Sequence, residues 1–224
     1  VVALTATADP RVRDDIVQRL GLHDPAIHVA GFDRPNLRFE VVKVSSLKEK
    51  FEGISAQLRA LKDESAIVYC GTRKRVEEVT DSLQRAGIRC ARYHAGMQDD
   101  DRKRIQDAFA RDTLRVIVAT NAFGMGIDKP DVRFVAHAGI PKSMEAYYQE
   151  SGRAGRDGDP AVAHLFWSPG DFSLARERLK EQPEARQLAE KARIDALSAL
   201  VETPGCRRAI LLRHFGEDPP AQCG

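Results

Sequence analysis

One feature limits what this chain can fold into: short apolar runs alternate with stretches of helical spacing. The runs fall at residues 37–44, 66–69, 90–93, 114–120, 132–137 and 161–167, and they are rich in β-branched and aromatic residues. Several are apolar at almost every position, as strands covered on both faces are. Between them, Leu47, Phe51, Ile54, Leu58 and Leu61 recur at steps of three and four, and Val76, Val79 and Leu83 do the same. Gly87 reads as a helix stop. Asp99, Asp100 and Asp101 suit a helix N-terminus, and Ser143 after Pro141 reads as an N-cap. The rhythm predicts an α/β fold, an open and mainly parallel sheet with helices on both faces and right-handed crossovers.

The flanks differ from this middle. In residues 1–35, a strand is expected at 1–4, Asp9 and Pro10 read as an N-cap and first helical residue, and a second strand is expected at 27–30. This resembles the last strand-helix-strand of another sheet. Residues 36–169 hold the alternating pattern. Residues 170–224 become helical and rich in Arg, Glu and Ala, with breaks at Pro183, Pro204 and Gly205. The start without Met or a charged leader predicts a segment of something larger. No run of 18 apolar residues exists, so no transmembrane helix is expected, and nothing resembles a signal peptide. A cytoplasmic protein without a membrane partner is the expectation.

Lys plus Arg number 35 and Asp plus Glu 33, a net +2. The balance excludes a histone-like polycation. It leaves nucleic-acid binding open, because a local stripe of arginines can hold phosphates while acids elsewhere cancel the total. Four cysteines are too few for a disulfide scaffold of this size. Cys70 and Cys90 read as small core residues.

Three strings carry chemistry. Cys70-Gly71-Thr72-Arg73 follows a strand, and its free N–H groups suit either phosphate or an ordinary capped turn. Residues 120–130 include Gly124, Gly126 and Asp128, a carboxylate suited to a ribose hydroxyl. In Gln149-Glu150-Ser151-Gly152-Arg153-Ala154-Gly155-Arg156-Asp157-Gly158, two arginines stand three apart among glycines. Two guanidinium groups so placed can clamp a triphosphate and stabilise charge during phosphoryl transfer. Solvated surface arginines in a Gly-rich turn fit the spacing equally well.

Taken together and in order, these strings resemble the RecQ family of superfamily 2 DNA helicases. Leu4-Thr5-Ala6-Thr7-Ala8 resembles helicase motif III, at the end of the first RecA-like lobe. Tyr69-Cys70-Gly71-Thr72-Arg73 resembles motif IV, where many members carry Asn-Ser in place of Gly71-Thr72. Tyr93-His94-Ala95-Gly96 is similar to the family's next string. Residues 120–130 resemble motif V and 149–158 motif VI. The resemblance implies the tail of a first lobe at 1–35, a whole second RecA-like lobe at 36–169 and the start of a helical zinc-binding region at 170–224. It implies that Arg153 and Arg156 reach the γ-phosphate of ATP, with Arg156 favoured as the arginine finger, and that Gln149 senses the same phosphate. Gly126 and Asp128 would meet the ribose. Thr72, Arg73, His94, Thr120 and Asn121 would line the track of single-stranded DNA, although a structural hydrogen bond at a strand end suits His94 as well. Thr5 and Thr7 would couple hydrolysis to lobe movement.

Cys206 and Cys223 enclose sixteen residues, the spacing of the first two zinc ligands in that family. A structural zinc site takes four ligands, so this chain is expected to hold Zn²⁺ weakly or not at all. A Gly-x-x-x-x-Gly-Lys-Thr loop and an Asp-Glu-x-His box for Mg²⁺ and water are also missing: no Gly-Lys pair occurs. Asp63-Glu64-Ser65-Ala66 precedes a strand instead of ending one and reads as a polar turn. The chain is therefore expected to complete an ATP site from the side opposite a missing first lobe, within a 3′–5′ DNA helicase acting on single-stranded and partly duplex DNA, and not to hydrolyse ATP alone. The alternatives are a non-catalytic nucleic-acid-binding module and an RNA-acting superfamily 2 helicase.

Overall fold

The computed structural model describes residues 1–5, 7–124 and 129–220. Six strands form one sheet: β1 (Leu37–Lys43), β2 (Ser65–Tyr69), β3 (Cys90–Tyr93), β4 (Val116–Ala119), β5 (Val132–His137) and β6 (Ala161–Trp167). The order is β1-β6-β5-β2-β4-β3, and every pairing is parallel. Central β2 is buried at all five positions, which explains its lack of alternation.

Helices cover both faces. α2 (Leu47–Ala60) and α3 (Arg73–Arg85) bury Ile54, Leu58, Val76, Val79 and Leu83 against one face. On the other, α4 (Asp99–Ala110) contributes Phe109, which joins Tyr69, Tyr93, Ile117, Phe123 and Val135. α5 (Met144–Ser151) lies on this side as well, and Ser143 caps it by accepting from the Ala146 N–H at 3.2 Å. Cys70 and Cys90 are buried among the first face's apolar side chains, and burial pushes both thiols up to about 12. They are packing residues, as expected.

After β6, three helices follow: α6 (Pro169–Lys180), α7 (Glu184–Glu202) and α8 (Arg207–His214). Tyr147, Leu165, Trp167, Phe172, Leu197, Leu200 and Leu211 weld them to α5 and β6. The joint has an ionic hub. Asp171 accepts from the Ser168 N–H at 2.7 Å and from the Ser168 hydroxyl at 3.1 Å, and receives Lys50 Nζ of α2 at 2.9 Å. The Lys50 side chain is only 1% exposed. Among the described residues no helix is long and apolar enough to cross a membrane.

The N-terminal unit departs from expectation. α1 (Pro10–Arg19) forms, with Asp9 Oδ1 accepting from the Val12 N–H at 2.8 Å. The strands expected at 1–4 and 27–30 do not form. Neither segment pairs with the six-stranded sheet, whose own edges are β1 and β3. Val1, Val2, Leu4, Ile27 and Val29 are all exposed. An extended apolar segment needs a neighbouring strand to satisfy its N–H and C=O groups.

Candidate functional site

The sheet gathers one set of predicted residues at its carboxyl edge. β2, β4 and β3 are neighbours, and the chain leaves each of them through one of the predicted strings. Thr72 caps α3, its hydroxyl accepting from the Arg75 N–H at 3.2 Å, and Arg73 opens that helix, exposed. The Thr120 N–H donates to Tyr93 O at 3.2 Å, which ties the exit of β4 to that of β3. The Thr120 hydroxyl accepts from the Ala122 N–H at 3.4 Å, and Asn121 is exposed. His94 lies on the same edge but is buried. Its Nδ1 accepts from the Gly96 N–H at 3.3 Å, and its Nε2 lies 3.8 Å from Glu77 Oε1. Its geometry is that of the strand-end hydrogen bond. A groove of about 820 Å³ opens beside Thr72, with Lys142, Arg178, Arg186 and Arg193 among its walls.

The second set lies elsewhere. Phe123, between β4 and β5, lies against the sheet's second face. Phe123 is fully buried there, edge-on to Tyr93 at 4.8 Å and to Phe109 at 5.7 Å. The Tyr69 hydroxyl donates to Phe123 O at 2.9 Å. Burial pushes the Tyr69 phenol's pKa up, partly opposed by the positive charge of Arg153, so the group remains a neutral donor. Gly126 and Asp128 lie outside the described residues.

α5 ends at Ser151, and the turn after it passes the amino end of β5, not a carboxyl edge. The Gly155 N–H donates to Val132 O at 2.8 Å and the Arg156 N–H to Pro130 O at 2.9 Å. Arg153 is half-buried, with its guanidinium against Gly124. A Cβ at Gly124 would fall 2.7 Å from Arg153 Nη2, so a side chain there would push the guanidinium aside. Arg156 is exposed. The two arginines three apart thus occupy unlike environments, one packed and one facing solvent.

Gln149 reaches the N-terminal unit. Its Nε2 donates to Thr7 Oγ1 at 2.7 Å, and the Thr5 hydroxyl donates to Thr7 O at 3.2 Å. Predicted residues 142 positions apart therefore share one small polar cluster. Beneath them, Glu150 Oε2 meets buried His137 Nε2 at 2.9 Å, which anchors α5 to the end of β5.

The two cysteines read as zinc ligands are only partly within the described residues. Cys206 occupies the N-cap of α8 and is half-buried, while Cys223 lies outside the described residues. Thiolates are the right soft donors for zinc. Among the described residues, though, the group of His, Cys, Asp and Glu close enough to share an ion is Asp9, Glu145 and His214, and Cys206 is not in it. His214 is a helix-end residue, as read from the sequence, and bonds Glu145 Oε1 at 2.6 Å.

Sequence reasoning missed the residues that hold the arginine turn from outside, Arg34 and Asn36. Their trace was a polar Arg-Pro-Asn triplet directly before a strand. It also missed Lys50, which interrupts an apolar helical face without breaking its period.

Comparison with known proteins is consistent with this architecture. Residues 49–158 match the family described as helicase conserved C-terminal domain, and residues 169–224 match RecQ zinc-binding. The chain is 43% identical over 227 residues to the ATP-dependent DNA helicase RecQ of Pasteurella multocida, covering 100% of this chain and 35% of that protein. It is 42% identical over 225 residues to the ATP-dependent DNA helicase RecQ of Bacillus subtilis, covering 100% of this chain and 38% of the relative. The mouse bifunctional 3'-5' exonuclease/ATP-dependent helicase WRN is 42% identical over 231 residues, with 96% of this chain and 16% of that protein covered. The chain thus spans little more than a third of the bacterial relatives it matches. Among solved structures, S. cerevisiae Dbp5 L327V bound to RNA and ADP BeF3 superposes with a TM-score of 0.66 at 19% identity. The match covers 86% of this chain and 54% of that one, and it shows a shared fold.

Proposed function

The chain belongs to the RecQ family, and from that premise we propose that it forms the arginine-finger half of an ATP site and part of a single-stranded DNA track in a longer 3′–5′ DNA helicase. The observation that carries this reading is the junction of Thr7 with Gln149 at 2.7 Å, one helical turn before the arginine pair. It joins a segment read as the end of one lobe to the residues read as sensing phosphate on the other. Arg156 is the exposed member of the pair and takes the role of finger. Arg153, packed on Gly124, steadies the turn and adds positive charge behind it. Gln149 reports the γ-phosphate to Thr7 and Thr5. Gly126 and Asp128 take the ribose. The phosphate loop and the carboxylates for Mg²⁺ come from the first lobe.

The carboxyl edge fits the strand track. Thr72, Arg73, Thr120 and Asn121 lie at that edge, and the adjoining groove carries five basic side chains, Arg75 among them, against the acidic Asp171 and Glu190. Phosphate contacts of this kind position a strand without reading its sequence. His94 supports the track from within and does not touch the strand. The RecQ zinc-binding segment favours DNA over RNA as the substrate. When zinc is bound in the longer protein, Cys206 and Cys223 supply two of its thiolates and the ion fixes the fold of that region. The reading keeps the protein in the cytoplasm with the DNA it unwinds.

The direct test on this chain is steady-state ATP turnover with single-stranded DNA present. Turnover should stay at background, since no Gly-Lys phosphate loop exists. Turnover above background that disappears in Arg156→Ala would refute the reading, because this chain would then hold a complete site.

A further inference from the structure

The turn that carries Arg153 and Arg156 is held by residues that none of the helicase strings includes. Arg34 Nη1 donates to Gly152 O at 3.3 Å, and its Nη2 donates to Ala154 O at 2.9 Å and to Gly155 O at 2.8 Å. Three carbonyls flanking Arg153 thus converge on one guanidinium. α5 has just ended there, and carbonyls at a helix C-terminus lack partners and carry partial negative charge. A planar cation with several donors suits that position. Asn36 adds a second hold, its Nδ2 donating to Gly155 O at 2.7 Å and to Asp159 O at 2.8 Å. Gly155 has φ +61, and a Cβ there would lie 2.6 Å from Asn36 Nδ2, so the carboxamide seats against a glycine that must stay one.

The same short segment is gripped from the opposite side by α8. Arg208 Nη2 donates to Leu37 O at 3.0 Å and to Pro35 O at 3.3 Å, and its Nε lies 3.6 Å from Asp33 Oδ1. Arg208 follows Cys206 by two residues, in the first turn of α8. Beyond it, Phe32 stacks on Phe215 at 4.6 Å, its N–H donates to Glu217 Oε2 at 2.5 Å, and its carbonyl accepts from the Tyr148 hydroxyl at 2.7 Å. Residues 32–36 are therefore bonded to α8 on one side and to the arginine turn on the other.

We propose that Arg34 and Asn36 are positioning residues for the Arg153–Arg156 turn, and that Arg208 makes this hold depend on the helix that follows Cys206. The inference rests on the arginine-finger reading above. It adds that the zinc-bearing region and the ATP side communicate through residues 33–37, because the two sets of bonds share that backbone. Displacing the turn by a fraction of its own width withdraws Arg156 from the phosphate while leaving the DNA track, at the other edge of the sheet, in place.

The experiment uses the full-length protein and compares Arg34→Gln, Arg34→Lys, Arg208→Gln, Arg156→Ala and the double variant Arg34→Gln/Arg156→Ala. Arg34→Gln should lower kcat for ATP on the order of 10- to 100-fold, the scale of a misplaced catalytic group. KM for ATP and affinity for single-stranded DNA should change less than about threefold, because the track's contacts are made at the other edge. Arg34→Lys keeps the charge with a single donor head and should recover part of the rate. Arg208→Gln should move kcat in the same direction by less. In the Arg156→Ala background, Arg34→Gln should have no further effect on rate, since it acts through the turn. Amide hydrogen exchange at Gly155 and Arg156 should quicken in Arg34→Gln while β2 and β4 stay protected. An unchanged kcat in Arg34→Gln, or an equal loss in both backgrounds, overturns the positioning role. If Arg156→Ala itself leaves kcat intact, the finger reading is what has failed, and unchanged exchange at Gly155 in Arg34→Gln then overturns the structural half as well.

Discussion

Ile67 and Val2 sit in similar runs of small aliphatic residues, yet Ile67 is fully buried and Val2 is 84% exposed. The difference lies in their neighbours. Ile67 pairs with Ile117 on one side and Val135 on the other, and helices cover both faces. Val2 belongs to a segment with no strand beside it. A β-branched run is thus a strand only where another strand offers its edge. Residues 1–35 are held instead by polar and aromatic contacts, notably Gln149 on Thr7 and Tyr148 on Phe32. The sheet is fastened by burial, and the N-terminal unit by a few directed bonds.

The contrast can be broken most sharply at the ionic joint of the buried part. Asp171→Ala leaves the Lys50 ammonium buried without its carboxylate and should cost about 3–5 kcal/mol in urea unfolding. Lys50→Met should be tolerated far better, since it removes the charge and keeps the volume. A loss below about 1 kcal/mol for Asp171→Ala would mean that the joint contributes little. Next in size, Ile67→Ala should cost about 2–5 kcal/mol through lost burial and the cavity left behind. The matching change in the exposed run, Val2→Ala, should stay within about 0.5 kcal/mol. Equal costs for the two would erase the distinction between the regions.

A smaller effect sharpens the comparison where the two parts meet. The hydrogen bond from His214 holds the Glu145 carboxyl down to about 2, below its ordinary 4.5. A depressed carboxylate pKa contributes stability that is fully present above the unfolded value and is lost as pH falls through the folded one. The difference in stability between the wild type and Glu145→Gln should therefore be constant near neutrality and shrink between pH 4.5 and about 2. Urea unfolding at a series of pH values measures it, and a gap that widens on acidification has the wrong sign.

Much of this architecture was legible in the chain. Each of the six strands of the sheet was marked by its apolar run, and the caps at Asp9, Thr72 and Ser143 were marked by residue type. These signals are local, and parallel pairing buried the central strands β2 and β4 completely. Residues 1–4 and 27–30, read as strands of another sheet, are not strands here because, among the described residues, no strand of this chain lies beside them. In the candidate site, the strings around Arg153 and Thr72 stood out through their glycines and arginines. Arg34, Asn36 and Arg208 did not, because each acts on backbone carbonyls. A carbonyl has no side-chain identity, so its partner leaves no complementary mark in the sequence. The burial of His94 was equally hidden, since one ring suits a phosphate contact or a backbone amide.

The central claim is that Arg156 completes an ATP site whose other half this chain does not contain. Single-turnover and steady-state ATP hydrolysis by the full-length protein, wild type against Arg156→Ala, test it most directly. The account predicts a fall in kcat of roughly 10³-fold or more, the worth of an arginine finger in phosphoryl transfer, with KM for ATP and affinity for single-stranded DNA nearly unchanged. A variant that turns over ATP at the wild-type rate, or that loses ATP affinity while keeping kcat, would contradict it.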